Sequence, residues 1–175
     1  MGRPSARDQV LDAYQEILIA DGVAAVTLEA VAARAGVSKG GLLYHFGSKD
    51  ALLDGLVERL LHLTEADIAR AHEAPEGPLR YYLSTSVTDA DMGKPAHRAT
   101  IAALRLLGTD PKISTTMIEI DRRWSELLAA HLKDPAVVQV AALLGDGLYL
   151  RATLGEKTPE DFLRRLPDML EQLDQ

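Results

Sequence analysis

The segment that most constrains the fold of this chain is residues 27–49, which predicts two short helices joined by a tight turn. Thr27 is a typical helix N-cap, and the apolar residues after it recur at the spacing of one helical face. Gly36 supplies the backbone freedom that a helix end needs, and Ser38 is a second N-cap before a helix over residues 39–46. Two short helices joined by such a turn form a helix-turn-helix, although a plain turn between two core helices is the alternative.

The chemistry of this segment fits contact with DNA, whose major groove receives the second helix of such a motif. Residues 30–49 contain no Asp or Glu, while they supply the cations and hydrogen-bond donors that phosphates attract. The two glycines in the second helix each cost about 1 kcal/mol relative to alanine, and close approach of the backbone to DNA is a reason to keep them. The candidate DNA-binding residues here are Thr27, Arg34, Ser38, Lys39, Gly40, Gly41, Tyr44, His45 and Lys49.

Two flanking segments extend this candidate surface. Arg3 lies in an N-terminal arm that either reaches a phosphate or the minor groove or is a solvated tail. Ser48 is an N-cap for a long helix predicted over residues 49–72, and Lys49 in its first turn lies where the helix dipole favours an anion. Because this helix begins at the DNA and continues into the rest of the chain, it is the natural mechanical link between the two parts.

The run that carries a family resemblance is Thr27-Leu28-Glu29-Ala30-Val31-Ala32, Ala35-Gly36-Val37-Ser38-Lys39-Gly40, Leu43-Tyr44-His45-Phe46, Ser48-Lys49 and Leu52-Leu53. In these residues the chain closely resembles the N-terminal domain of TetR-family transcriptional repressors. The resemblance covers about the first third of the chain, and the remainder is similar only in its length and helical pattern. It implies a homodimeric, all-helical regulator that binds a palindromic operator with its small N-terminal domain and a small effector with its larger C-terminal domain.

Charge and composition narrow the function classes. The net charge of −7, with a pI of about 5.2, taken alone argues against binding to nucleic acid. Residues 1–50 carry a net charge of only −1, so we predict a local positive patch on an acidic protein and a strong salt dependence. The absence of cysteine excludes disulfides and cysteine-ligated zinc. With neither a signal peptide nor a membrane span predicted, we expect a cytoplasmic protein without membrane contact.

The remaining sequence predicts only helices, which gives an all-α chain of about nine helices in two domains. We expect a helix-turn-helix domain over residues 1–47 and a helical effector-binding and dimerisation domain over residues 48–175. Pro167 lies inside the last predicted helix and should kink or shorten it. The last two helices present more apolar surface than so short a chain can cover, so we expect them to form a four-helix bundle with a second copy. The predicted helix starts in this part are Pro78, Pro95, Asp110-Pro111, Asp134-Pro135 and Thr158-Pro159.

No motif marks an effector site, so the candidates are large, polarisable or hydrogen-bonding side chains on helices otherwise made of Ala, Leu and Ile. They are Met92, His97, Arg105, Met117, Trp124 and Tyr149. Ordinary core packing is the alternative for each of them. Arg105 either meets an anionic effector, pairs with an acid or reaches solvent. His62, Glu65 and His72 are interpreted as a solvated helix face, and we expect neither a metal nor a cofactor.

Two other classes of protein compete with a DNA-binding repressor. An enzyme has little support, because the chain has neither a glycine-rich phosphate loop after a strand nor a nucleophile elbow. Gly145-Asp146-Gly147 lies in a helical context, where it indicates close packing or a local break. A helical dimeric adaptor with little or no DNA binding is the alternative, but it has no need for an acid-free helix surface around Lys39 and Lys49.

Overall fold

The computed structural model describes residues 5–175, and the regular structure in this part of the chain consists of nine α-helices and a short 3-10 turn. The prediction of an all-α fold is therefore confirmed. The helices are α1 (Ala6–Ala20), α2 (Leu28–Ala35), α3 (Lys39–His45), α4 (Lys49–Glu73), α5 (Pro78–Thr88), α6 (Pro95–Arg105), α7 (Pro111–Ala129), α8 (Pro135–Thr153) and α9 (Glu160–Leu173).

The helix ends follow the local signals of the sequence. At six helix starts a side-chain oxygen accepts a backbone N–H of the first turn at 2.8–3.1 Å; these are Ser5, Thr27, Ser38, Ser48, Asp110 and Asp134. Gly36 ends α2 in the left-handed conformation, with a φ of 67°. Pro167 does not shorten α9, which continues through this residue to Leu173.

The contacts divide the chain into two compact units. The first comprises the chain up to His62 together with Arg98–Thr116, and the second comprises Leu63–His97 together with Met117–Gln175. Helices α4, α6 and α7 each continue from one unit into the other. The predicted boundary between residues 47 and 48 separates a DNA-binding domain from an effector-binding and dimerisation domain. It is defined by function and not by contacts, so it stays a prediction.

In the first unit, α1 packs against α2 and α3 over a core of leucine and aromatic side chains. Tyr14 is buried there, and burial raises the pKa of its hydroxyl to about 12. Phe46 directly follows α3 and is also buried, so the end of α3 is fixed by the core. A Cβ added to Gly55 of α4 would lie 2.7 Å from Cε1 of Phe46 and 2.9 Å from Cδ2 of Leu11, so only glycine fits there without movement.

In the second unit, α5 packs against α8 and α9. The Tyr82 hydroxyl of α5 donates a hydrogen bond to the Ala142 carbonyl of α8 at 3.2 Å. The Tyr82 ring lies directly against Gly145, where an added Cβ would overlap it. Gly145 therefore serves close helix packing and not a helix break, since α8 continues through it.

Candidate nucleic-acid interface

The predicted helix-turn-helix is present, with α2 and α3 joined by Gly36, Val37 and Ser38. Only Leu42 is fully buried among the seven residues of α3. The side of α3 away from the core carries Lys39, Gly40, Leu43 and Tyr44, and we call these four residues the outer face of α3. A helix that presents one face to a small core and the other to solvent has the geometry required to enter a major groove.

The outer face of α3 combines large exposed side chains with a residue that has none. Tyr44 is 86% exposed, and its ring contacts the half-buried His45 edge to face, with centroids 5.0 Å apart. A Cβ added at Gly40 would meet only the Ser38 Oγ, at 4.0 Å, so nothing within the protein requires glycine there. At Gly41 the same Oγ would lie at 3.3 Å, which is a tighter fit against the cap. Leu43, 41% exposed, did not stand out in the sequence beside the buried Leu42.

The cations of the motif are paired with carboxylates. The Lys39 Nζ lies 2.6 Å from Oε1 of Glu29, and this hydrogen bond holds the pKa of the Glu29 carboxyl below its usual value. Arg34 donates to Asp21 at 3.0 Å and lies 3.9 Å from Glu16. All of these side chains are substantially exposed, so each cation can readily exchange its carboxylate partner for another anion.

The remaining candidate DNA-binding residues lie mostly at helix starts. Thr27 and Ser38 use their oxygens to cap α2 and α3, and each hydroxyl keeps its own hydrogen for donation outward. Lys49 is exposed at the first residue of α4. Arg3 lies outside the described residues. The surface around the motif thus holds donors from three different helix starts.

Four of the six predicted effector residues bring their side chains into the second unit's helical packing or its margin. His97 is only 4% exposed, and its Nδ1 lies 2.6 Å from the Tyr149 hydroxyl of α8. Burial lowers the pKa of His97, which favours the neutral imidazole. Trp124 is half-buried with its ring centroid 5.2 Å from that of Tyr82, and Met117 is half-buried on the same helix.

The other two effector candidates lie elsewhere. Met92 is exposed in the connection between α5 and α6. Arg105 is exposed and belongs to the first unit, where its guanidinium donates to the Ile19 carbonyl at 3.3 Å. The structure therefore brings His97 and Tyr149 together, and it does not place Arg105 with them.

Two kinds of feature are absent from residues 5–175. This part of the chain contains no group of three or more His, Asp or Glu side chains arranged to hold a metal ion. Within the same residues, no helix has both the length and the apolar character required to cross a membrane.

Comparison with known families assigns both parts of the chain. Residues 10–56 match the model for bacterial regulatory proteins of the tetR family, and residues 76–175 match that for the tetracyclin repressor-like C-terminal domain. The second match alone spans more than half of the chain. The chain therefore belongs to the TetR family of DNA-binding transcriptional regulators and is not an enzyme.

Individual relatives agree with this assignment. The HTH-type transcriptional regulator BetI of Burkholderia thailandensis is 30% identical over 163 residues, which cover 87% of this chain and 84% of BetI. The multidrug binding protein EbrR, in a structure complexed with malachite green, has a TM-score of 0.73 at 24% identity and covers 98% of this chain and 99% of its own. Salmonella enterica GusR has a TM-score of 0.70 at 16% identity, with 97% and 95% covered. The two structural likenesses concern the fold.

Proposed function

We propose that this regulator is a repressor that binds a palindromic operator as a homodimer and releases it when a small molecule binds the second unit. The observation that carries the proposal is the coexistence of two exposed surfaces, the outer face of α3 and an apolar stripe on α8 and α9. The first is suited to DNA, and the second is suited to another copy of the chain. A cytoplasmic location follows from the role on DNA.

The proposed DNA contacts divide into base and phosphate contacts. Tyr44 is the most exposed side chain of α3, so it is placed to reach base edges, and Gly40 lets the helix backbone approach closely. Lys39, Arg34 and Lys49 supply charge to phosphates, with Glu29 and Asp21 replaced by phosphate oxygens on binding. The Thr27 and Ser38 hydroxyls donate their remaining hydrogens outward, and Gly41, His45 and Arg3 complete the proposed set.

The proposed dimer forms through the apolar stripe on α8 and α9. On α8 the exposed residues alternate at spacings of three and four, which places them on one side of the helix. Gly147 lies within this row and has open space around its backbone, so a second helix can approach there. A row of exposed apolar residues on a helix is suited to an interaction site, and two helices from each copy would make a four-helix bundle. The exposed apolar residues are Val140, Leu143, Leu150, Leu154, Phe162, Met169 and Leu173.

A homodimer explains why the operator should be palindromic. A twofold axis repeats α3 on the partner copy, so the two reading helices meet half-sites related by inverted repetition. Half-site centres are then separated by about one helical turn of DNA, roughly 34–36 Å, or a multiple of it.

The proposed effector contacts lie in the second unit. Trp124 offers a half-buried aromatic face, and the His97–Tyr149 pair offers polar groups on α6 and α8. Met92 and Met117 are included as adaptable apolar contacts, while a role for Arg105 stays a prediction. The structures of EbrR with malachite green and with ethidium support this part of the proposal, because EbrR has the same fold and binds these two small molecules. Release of DNA requires that the effector bind two conformations with different affinity.

The first experiment is selection of bound duplexes from a random-sequence pool at moderate salt, together with the molar mass in solution by light scattering. Enrichment of an inverted repeat by a dimer supports the proposal and provides the operator for later work. A folded protein that enriches no sequence would favour the dimeric adaptor instead. A monomer that enriches a single half-site would refute the homodimer.

The second experiment tests the phosphate contacts with a matched pair of variants. Lys39→Ala should weaken operator binding and reduce the slope of log K against log salt by about 0.9 for each phosphate that is no longer neutralised. Lys157→Ala removes an exposed lysine from the second unit and should leave both quantities unchanged. Equal effects of the two variants would exclude Lys39 from the residues that bind phosphate.

The third experiment tests the effector site with the single tryptophan of the chain. A compound that releases the operator should also change Trp124 fluorescence if it contacts the indole. Release without any spectral change would place the effector away from Trp124.

A further inference from the structure

The outer face of α3 has an unusual chemistry for a surface that reads DNA. Lys39 is held by Glu29, Gly40 has no side chain, and the Tyr44 hydroxyl is the only other polar side-chain group of the four residues. The fourth member is Leu43, which is 41% exposed and has no hydrogen-bonding atom in its side chain. Since Leu42 and Phe46 already fill the core side of this short helix, the fold does not need Leu43 to be apolar.

The major groove offers few partners to such a side chain. Every base pair displays hydrogen-bond donors and acceptors there, and the one apolar group is the C5-methyl of thymine. A leucine pressed against a donor or an acceptor would remove water from that group and leave it unpaired, which is unfavourable. Thymine is therefore the base whose edge gains most from contact with Leu43.

The position of Gly40 makes this contact sterically accessible. Long side chains on a helix lean toward its N-terminus and cover the turn before their own Cα. Leu43 follows Gly40 by three residues, so the two lie on the same face of α3, and Gly40 contributes no side chain to that face. An added Cβ at Gly40 would be in open space except for the Ser38 Oγ at 4.0 Å, so the groove wall can come close there.

We propose that Leu43 is a specificity-determining residue that contacts the C5-methyl group of a thymine in each operator half-site. The inference rests on the proposed binding of an operator by the helix-turn-helix, and it adds a preference for one base at one position. The contact is made by methyl and isobutyl groups alone, so it contributes discrimination without a hydrogen bond.

The test removes the methyl group from DNA and the side chain from the protein, separately and together. In the selected operator, each thymine is replaced in turn by uracil, which keeps the base pair and lacks only the C5-methyl group. For wild-type protein, uracil at one thymine position should weaken binding about fourfold when it is placed in one half-site and about fifteenfold when it is placed in both. These factors correspond to the loss of one buried methyl group per half-site. For Leu43→Ala the same replacement should have no effect, while uracil elsewhere should act equally on both proteins.

A matched variant controls for general loss of apolar surface. Leu104→Ala changes the same residue type at 43% exposure in the first unit but on α6, and it should keep the full response to uracil. Circular dichroism verifies that Leu43→Ala and Leu104→Ala retain the helical content of the wild type.

The possible outcomes separate this inference from the function on which it rests. An enriched operator in which no uracil replacement weakens binding would overturn the role of Leu43 and leave the proposed function intact. The same holds if Leu43→Ala responds to uracil as strongly as the wild type does. Failure to enrich any sequence would overturn both.

Discussion

Replacement of Gly55 by alanine tests whether the packing beneath the recognition helix is as tight as the structure shows. Gly55 lies within α4, and its added Cβ would lie 2.7 Å from Phe46 Cε1 and 2.9 Å from Leu11 Cδ2. An ordinary contact is at least 3.4 Å, so the Phe46 ring must move by about 0.7 Å. Leu11 and Phe46 are both buried, so this displacement has no free space to use.

The magnitude follows from two opposing effects. Alanine in place of glycine within a helix stabilises by about 1 kcal/mol, and overpacking of a filled core typically destabilises by about 1–3 kcal/mol. We therefore expect Gly55→Ala to lower the free energy of unfolding by about 1 kcal/mol. Gly40→Ala is the matched control in the same unit, since its Cβ enters open space. It should stabilise the free protein by up to about 1 kcal/mol and still weaken operator binding.

Urea unfolding at one fixed protein concentration measures both variants, because the stability of a dimer depends on concentration. A midpoint for Gly55→Ala at or above that of the wild type would refute the packing argument. A Phe46→Leu background should reduce the loss caused by Gly55→Ala, since the two residues are in contact. Additive effects of the two substitutions would show that Phe46 is not the side chain that resists the added methyl group.

Three further predictions concern other parts of the molecule. Glu29→Gln frees Lys39 and removes a carboxylate beside the proposed DNA-binding surface, so operator affinity measured at fixed salt should rise roughly two- to fivefold per half-site; an unchanged or lower affinity would contradict this. Gly145→Ala overlaps the Tyr82 ring and should destabilise the protein by about 1–3 kcal/mol in urea, and a Tyr82→Leu background should show a smaller loss. The Asp174 carboxylate accepts backbone N–H groups at the start of α8, and these bonds hold its pKa below the usual 3.8. As pH falls, the Asp174 carboxylate is therefore protonated in the unfolded chain before it is protonated in the folded one. Wild-type thermal stability should fall more steeply than that of Asp174→Asn as pH drops below about 4, and parallel curves for the two proteins would exclude the effect.

Local features were predictable because they depend on neighbours in sequence. Side-chain caps such as Thr27 and Ser38 bond to backbone groups three residues away, and Gly36 ends α2 through its own φ. The helical fold and the helix-turn-helix follow from such signals. The matched family models then extend the assignment to the C-terminal part, where the sequence offers only helical periodicity.

Features that depend on distant residues were not predictable in the same way. Residues 30–49 contain no acid, yet Glu29, just outside this window, forms an ion pair with Lys39 across the turn, ten residues away in sequence. The sequence around Gly145 is compatible with either close helix packing or a helix break. The contact with Tyr82, which lies on another helix, shows that close packing is the reason for this glycine. Leu42 and Leu43 are adjacent leucines, so residue type does not distinguish them. Only their positions around the axis of a short helix make Leu42 buried and Leu43 exposed.

The first unit is assembled from two stretches of chain that are separated by residues 63–97. During synthesis, its N-terminal stretch therefore emerges well before Arg98–Thr116, and the complete set of contacts in this unit can form only after α7 has begun. Arg98 and Lys112 in the later stretch make ion pairs with Glu16 and Asp54 in the earlier one. A chimera that joins the first unit to a different second domain should consequently carry both stretches, because a graft cut after α3 would deprive Glu16 of Arg98 and would lack Asp54, the partner of Lys112, altogether.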